Sequence, residues 1–265
     1  MASAGLSDGL LGGPQAQAAA RSDNNGSTKE QQSQVPGLQV WHDFCSEAEE
    51  AELVAWLDQC SPPWTHEQFG VPTMYRSKHF GVLATLRPTR TARAPNPEAG
   101  EVDLPPSGIL TDLMRRLRNT SKPWGPGLRN FVPNEANVND YRRAEGDRLH
   151  MHWDDRSLYD EKICSLSLLG SADMTFVKGG RSNFKVPAKD EAANNRESTD
   201  AVDGQQTVRV HLPARTLVVM AGPARFEWQH GFPAPEDFQC ERRVSLIFRR
   251  VRLDRPAVPG SRQSQ

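Results

Sequence analysis

An imidazole and a carboxylate stand two residues apart in His152-Trp153-Asp154. Alternate residues of a β-strand point to the same side, so a strand here would turn both groups toward one ion. A third donor must come from a distant part of the chain. His230, in Trp228-Gln229-His230-Gly231, is the best placed, because it follows an apolar run ending at Met220. Two histidines and one carboxylate, with other positions open, form the donor set of non-haem Fe(II) oxygenases, and catalytic zinc uses similar donors. A His-x-Asp pair also arises often by chance on a surface. His150 shares the strand face of His152. On spacing alone, His150 and His152 as ligands with Asp154 behind them stand level with His152 and Asp154 as ligands.

Arg243 and Arg249 are six residues apart, an even spacing that sets both on one face of a strand. At ~3.3 Å per residue their Cα atoms lie roughly 20 Å apart. If each side chain leans inward by about 6–7 Å, roughly 7 Å remains, which suits a five-carbon dicarboxylate. Guanidinium groups hold carboxylates through paired hydrogen bonds and keep their charge when buried. Arg242, Arg250 and Arg252 make the neighbourhood rich in arginine, so the pair alone reads as a solvated basic strand. Together with His152, Asp154 and His230, a metal beside a diacid cosubstrate explains the two arginines better.

These groups need a scaffold, and the chain of 265 residues is long enough for one large domain or two small ones. Hydrophobic residues at 37% suffice for a sizeable core once loose tails are set aside. From Asn134 onward the pattern is of strands. Cys164, Leu166 and Leu168 alternate with small or polar neighbours, as do Met174 and Phe176, then Val208, Val210 and Leu212, then Val244, Leu246 and Phe248. Thr216 to Met220 is continuously apolar, as in a strand covered on both faces. Before them, Ser46 and Glu49 form a capping box that opens a helix carrying Leu53, Trp56, Leu57 and Cys60, stopped by Pro62-Pro63. A second helix is expected from Ser107 to about Arg118. The fold class is therefore mainly β with supporting helices, a sandwich or barrel.

Residues 1–35 are rich in Ala, Gly, Ser, Gln and Asn and are expected to be disordered. Residues 179–206 read as a flexible loop between two strands, and 256–265 as a loose tail. The folded unit is thus 36–255. A formal net charge of −1 rules out a uniformly basic nucleic-acid coat and leaves room for a local basic surface. No apolar run approaches the length of about 18 residues that a membrane helix needs, so no membrane partner is expected. Cys45, Cys60, Cys164 and Cys240 form no C-x-x-C pair, which argues for a reducing compartment, cytoplasm or nucleus or both. The N-terminal segment lacks the pattern of a secretory signal and leaves organelle targeting open.

Taken in order, Asn139-Asp140-Tyr141, Gly146, Leu149, His152-Trp153-Asp154, the Ser165–Leu168 strand, Leu217–Gly222, Ala224-Arg225, Trp228–Gly231 and Arg243–Arg249 resemble the AlkB family of Fe(II)- and 2-oxoglutarate-dependent dioxygenases. The likeness runs over about residues 36–252. The resemblance implies a double-stranded β-helix, a jelly-roll variant. It implies Fe(II) on His152, Asp154 and His230, with the spacing from Gly146 favouring His152 over His150. Asn139 and Tyr141 would bond 2-oxoglutarate, Arg243 its far carboxylate, and Arg249 the carboxylate nearer the metal. Ser245 stands where the bacterial enzyme has an amide side chain. The implied reaction oxidises a substrate C–H bond with O2 while 2-oxoglutarate becomes succinate, and an N-methyl carbon would leave as formaldehyde.

The segment from Trp64 to Arg93 is the expected lid. It carries Arg76, Lys78, Arg87, Arg90 and Arg93 against Glu67, interleaved with Trp64, Phe69, Tyr75 and Phe80. Cations suit phosphate and rings suit an unstacked base, although an ordinary exposed loop with a few buried rings has the same composition. Tyr75 to Gly81 resembles the matching segment of the AlkB-like domain in the eukaryotic tRNA wobble-uridine hydroxylase. Arg156 replaces an acidic base-contacting residue of the bacterial repair enzyme and speaks against alkylated-DNA repair. Tyr75, Arg76, Lys78 and Arg156 are the substrate candidates. The expected function is hydroxylation or demethylation of a nucleic-acid base, with RNA slightly preferred over DNA and the nucleic-acid partner RNA or single-stranded. The alternatives are oxidation of a protein side chain such as methyl-lysine, or a non-catalytic interaction protein that keeps the fold.

Overall fold

The structure, a computed structural model, describes residues 30–31, 33–68, 70–85, 91–179 and 206–253. Residues 180–205, those after 253, most of the N-terminal segment, and Phe69, Arg87 and Arg90 lie outside the described residues, and with them most of what was expected of 1–35, 179–206 and 256–265. Order begins earlier than the sequence implied. Glu30 and Gln31 pair with Trp41 and Val40, and Val35 is buried.

The elements in chain order are β1 (Glu30–Gln31), β2 (Leu38–Trp41), α1 (Glu47–Gln59), β3 (Thr65–Gln68), β4 (Val71–Gly81), β5 (Leu83–Thr85), β6 (Thr91–Arg93), α2 (Ile109–Leu117), α3 (Gly125–Leu128), β7 (Glu135–Arg142), β8 (Leu149–His152), β9 (Ile163–Leu168), β10 (Ala172–Lys178), β11 (Thr207–Leu212), β12 (Leu217–Met220), α4 (Gly222–Phe226), β13 (Trp228–Phe232) and β14 (Arg242–Arg249). An eight-stranded sheet has the order β1-β2-β12-β9-β14-β7-β4-β3, and a four-stranded sheet the order β11-β10-β13-β8. Their pairings are antiparallel throughout.

The larger sheet is covered on both faces, and strand alternation sorts its residues between them. Val244, Leu246 and Phe248 of β14 pack with Val138 and Leu166 against Leu53 and Leu57 of α1 and Ile109, Leu113 and Leu117 of α2. The other face looks toward the smaller sheet, where Tyr141, Val218 and Met220 meet Met174, Phe176 and Phe232. This is a jelly-roll core with helices supporting one sheet. Helix α1 starts where the capping box requires: the Ser46 hydroxyl accepts from the Glu49 amide (3.2 Å), and the Glu49 carboxylate accepts from the Ser46 amide (2.9 Å). Glu49 also binds Arg116 of α2, which ties the two helices together.

Strand β4 was not legible as a strand. Of its eleven residues, Arg76 to Gly81 pair with β7 in the large sheet, with Ser77 opposite Asn139 and His79 opposite Asn137, and Val71 and Pro72 pair with β3. What the sequence offered as a lid is in this stretch a wall of the site.

Candidate active site

Four neighbouring strands of the large sheet turn a polar face toward the smaller sheet. On β7 the alternate residues Glu135, Asn137, Asn139 and Tyr141 stand directly opposite Arg249, Ile247, Ser245 and Arg243 of β14. Ser165 and Ser167 of β9 continue this face, opposite Ile247 and Ser245. Tyr75 of β4 closes the other side, 5.2 Å from Tyr141 between ring centroids. Above this floor, a cavity with about 510 Å3 of atom-free space, counting its open mouth, is lined by Asn139, Tyr141, His152, Asp154, His230 and Arg249 among others.

His152, Asp154 and His230 each offer one donor atom, and these lie within 4.8 Å of one another, the one such cluster among the described residues. His152 of β8 faces His230 of β13 across the pairing of the two strands, with ring centroids 4.5 Å apart. His230 Nε2 is 3.6 Å from Asp154 Oδ2. The His152 ring is fixed from behind, its Nδ1 lying 2.9 Å from the His150 carbonyl oxygen. His150 itself is not in the cluster. Burial and the neighbouring His152 push His230 down to about 3, so its ring is neutral and keeps a lone pair for a metal. Burial works against the charge of Asp154, but Arg249, His230 and His152 outweigh it and hold the carboxyl well below the usual range.

Strand alternation is not what aims Asp154. Strand β8 ends at His152, and Asp154 stands in the segment beyond it. That segment is pinned by Arg225 of α4, which donates to the Asp154 carbonyl (2.9 Å) and the Asp155 carbonyl (2.8 Å). Because α4 leads straight into β13, one buried guanidinium couples the Asp154 segment to the strand of His230.

The two arginines of β14 have unlike surroundings. Arg249 donates to Asp154 Oδ1 (2.8 Å) and to Glu135 Oε1 (2.6 Å), with the Tyr159 ring 4.3 Å away. Burial opposes its charge, but Glu135, Tyr159 and Asp154 outweigh burial and hold the proton. Arg243 is 0% exposed, donates to the Ser245 and Ser167 hydroxyls, and lies 4.6 Å from the Phe232 ring centroid. Among the described residues no carboxylate forms an ion pair with it. Its Nε has no hydrogen-bond partner, nor has the buried Oδ1 of Asn137. Burial pushes Arg243 down to about 10. Nearby, Asn139 donates to the Tyr141 hydroxyl (3.1 Å), and burial raises Tyr141 to about 12, so the phenol stays protonated.

The substrate candidates divide. Tyr75 lines the cavity, its hydroxyl donating to Gln68 (2.8 Å). Arg156 is exposed, its guanidinium over the Trp153 ring at 4.3 Å. Arg76 and Lys78 are a correction. They are one residue out of phase with Tyr75, Ser77 and His79, so they project from the opposite face of β4, away from the cavity. Arg76 pairs with Glu145 (2.5 Å). Lys78 is buried and donates to the carbonyls of Leu57 and Cys60 at the C-terminal end of α1, where a cation offsets the helix dipole. Glu135, Asn137 and Ser167 are site groups that the sequence reading passed over. Their signal was the same period of two that marks Asn139 and Tyr141.

The donor set fits Fe(II), and the uncompensated Arg243 fits an anionic cosubstrate beside it. The comparisons agree. The profile of the 2OG-Fe(II) oxygenase superfamily matches residues 37–249. Alpha-ketoglutarate-dependent dioxygenase alkB homolog 4 of Homo sapiens is 28% identical over 237 residues, 87% of this chain and 71% of that protein. The DNA N6-methyl adenine demethylase of Caenorhabditis elegans is 23% identical over 83% of this chain and 62% of its own length. The tRNA (carboxymethyluridine(34)-5-O)-methyltransferase ALKBH8 of Mus musculus is 30% identical over 74% of this chain and 24% of its own length. The solved structure of OsALKBH1 shares the fold, with a TM-score of 0.52, 16% identity, and coverage of 84% of this chain and all of that one. The chain belongs to the 2OG-Fe(II) oxygenase superfamily as an AlkB-like, 2-oxoglutarate-dependent dioxygenase that uses Fe(II).

Proposed function

We propose that this dioxygenase hydroxylates or oxidatively demethylates a nucleic-acid base, with single-stranded RNA preferred over DNA. His152, Asp154 and His230 are the metal ligands of the reading, and Asn139, Tyr141, Arg243 and Arg249 hold the cosubstrate. The single observation that carries the cosubstrate part of this reading is Arg243, a fully buried cation with hydroxyl partners and no carboxylate partner among the described residues. A buried charge without a counter-charge costs several kcal/mol, roughly, unless a ligand supplies the opposite sign. A bound dicarboxylate would supply it.

The chemistry that Fe(II), 2-oxoglutarate and O2 supply when bound is oxidation of a C–H bond coupled to loss of carbon dioxide from the cosubstrate. The chain's own groups do the positioning. Arg243 would take the far carboxylate, with the Ser245 and Ser167 hydroxyls fixing the guanidinium plane. Tyr141 stays a neutral donor because burial keeps its proton on. Arg249 keeps Asp154 aimed at the histidines. Tyr75 at the cavity and Arg156 on Trp153 offer a ring and a cation to an unstacked base and its phosphate. The support for a nucleic acid is the DNA and tRNA named for two relatives.

The test is succinate formation by the full chain with Fe(II) and 2-oxoglutarate. Turnover should rise when single-stranded methylated RNA is added, less with the same sequence as DNA, and the gain should fade with salt. Stimulation by a methyl-lysine peptide and by neither oligonucleotide would overturn the substrate class.

A further inference from the structure

Arg249 is asked to do two things that conflict. It must orient Asp154, yet a guanidinium bound to a carboxylate neutralises the charge that a metal cation needs from that ligand. The structure contains a second acid at this point. Glu135 is 0% exposed, opens β7, and stands in direct register with Arg249 of β14. Its Oε1 accepts from Nη2 of Arg249 (2.6 Å), while Nη1 of the same guanidinium donates to Asp154 Oδ1 (2.8 Å). Asp154 Oδ2 remains turned toward His230, at 3.6 Å from Nε2. Two carboxylates share this one guanidinium, while the second buried cation at this point, Arg225, is taken up by the carbonyls of Asp154 and Asp155.

We propose that Glu135 is a positioning residue of the metal centre: by taking one edge of Arg249 it lets Arg249 orient Asp154 without cancelling the charge that Asp154 offers the cation. Glu135 is neither in the triad nor itself part of the cavity lining, and acts through Arg249. The alternative is that Glu135 only satisfies a buried arginine. The two roles differ in sign. A charge-setting acid favours a divalent cation and opposes a dicarboxylate, whereas a packing defect weakens the binding of both.

This inference rests on the reading of His152, Asp154 and His230 as the metal ligands, and the wild-type protein tests that reading separately. The apo full chain is titrated with Co(II) and followed by its visible absorption. 2-Oxoglutarate is then titrated calorimetrically into the Co(II)-loaded protein. Wild type should bind Co(II) stoichiometrically and Asp154→Ala should not; a wild-type chain without a Co(II) spectrum removes the ground of both readings. Glu135→Gln keeps the shape and the acceptor oxygen and loses the charge. It should weaken Co(II) binding roughly ten- to a hundred-fold, as partners of ligating groups do. Its affinity for 2-oxoglutarate should be equal to or tighter than that of wild type. Glu135→Asp keeps the charge and should restore Co(II) binding to within about threefold of wild type, as a loss under roughly 0.7 kcal/mol. If Glu135→Gln does not fold, Glu135→Asp alone carries the test. A Glu135→Gln protein with wild-type Co(II) affinity, a parallel loss of both ligands, or a tenfold loss in natively folded Glu135→Asp overturns the proposal.

Discussion

The two ends of β14 carry the same side chain in opposite settings. At Arg249 the sheet supplies two carboxylates, Asp154 and Glu135, each within 2.8 Å of the guanidinium. At Arg243, six residues away on the same face, it supplies two serine hydroxyls and aromatic rings. One end has two acids built in, and the other has none among the described residues. The protein's own acids pair with the first arginine, which still borders the cavity, and the second has only hydroxyls until something binds. The polar floor therefore differs along its length, with acids beside the triad and a cation without an acid partner among the described residues at the far end. A metal cation next to a dicarboxylate has the reverse polarity.

The largest way to break this picture is at the triad. Asp154→Ala should lower succinate formation to background while near-ultraviolet circular dichroism stays native; full turnover would show that Asp154 is not a ligand. Next comes Arg249→Met, which leaves Glu135 and Asp154 buried without their cation. Urea unfolding should show a loss of about 3 kcal/mol or more, the range for breaking a buried ion pair by removing one partner. Arg243→Met should behave differently in the same assay. With no carboxylate left behind, the ligand-free protein should keep its stability or gain a little. Its KM for 2-oxoglutarate should rise roughly a hundred-fold with a smaller change in kcat, because a charge-assisted contact to the bound diacid is gone. Equal destabilisation by the two methionine variants would mean that the two ends are alike after all.

The same strand shows what a sequence makes legible. Val244, Leu246 and Phe248 alternate with Arg243, Ser245, Ile247 and Arg249, so the direction of each side chain follows from its number. His152-x-Asp154 and His230 were legible because few residue types bind metal. Lys78 was misread for a physical reason. A lysine among aromatics looks like a phosphate contact, and nothing local shows that the carbonyls of Leu57 and Cys60, far earlier in the chain, close around it. Glu135 was passed over because its meaning depends on Arg249, 114 residues later. Asp154 does lie with the two histidines, but the ground for grouping them was incomplete, since Arg225 rather than strand alternation holds its segment.

The smallest effect sharpens the comparison from outside the site. Glu49 and Arg116 also form a carboxylate–guanidinium pair, but their side chains are 22% and 27% exposed. The hydrogen bonds from Arg116 dominate over burial, with help from the Ser46 amide, and lower Glu49 from 4.5 to about 2. A carboxyl whose folded pKa is depressed contributes stability that is present above about 4.5 and is lost as pH falls toward about 2. With solvent screening at this partly exposed position the contribution is roughly 1 kcal/mol. Glu49→Gln should retain the helix cap, since glutamine also closes a capping box. Urea unfolding at pH 6 should show the variant about 1 kcal/mol weaker, with the gap closing steadily as the pH is taken from about 4.5 toward 2. If Glu49→Gln costs as much as Arg249→Met, burial is not what distinguishes the Arg249 cluster from an ordinary ion pair, and the contrast between the two ends of β14 would need another cause.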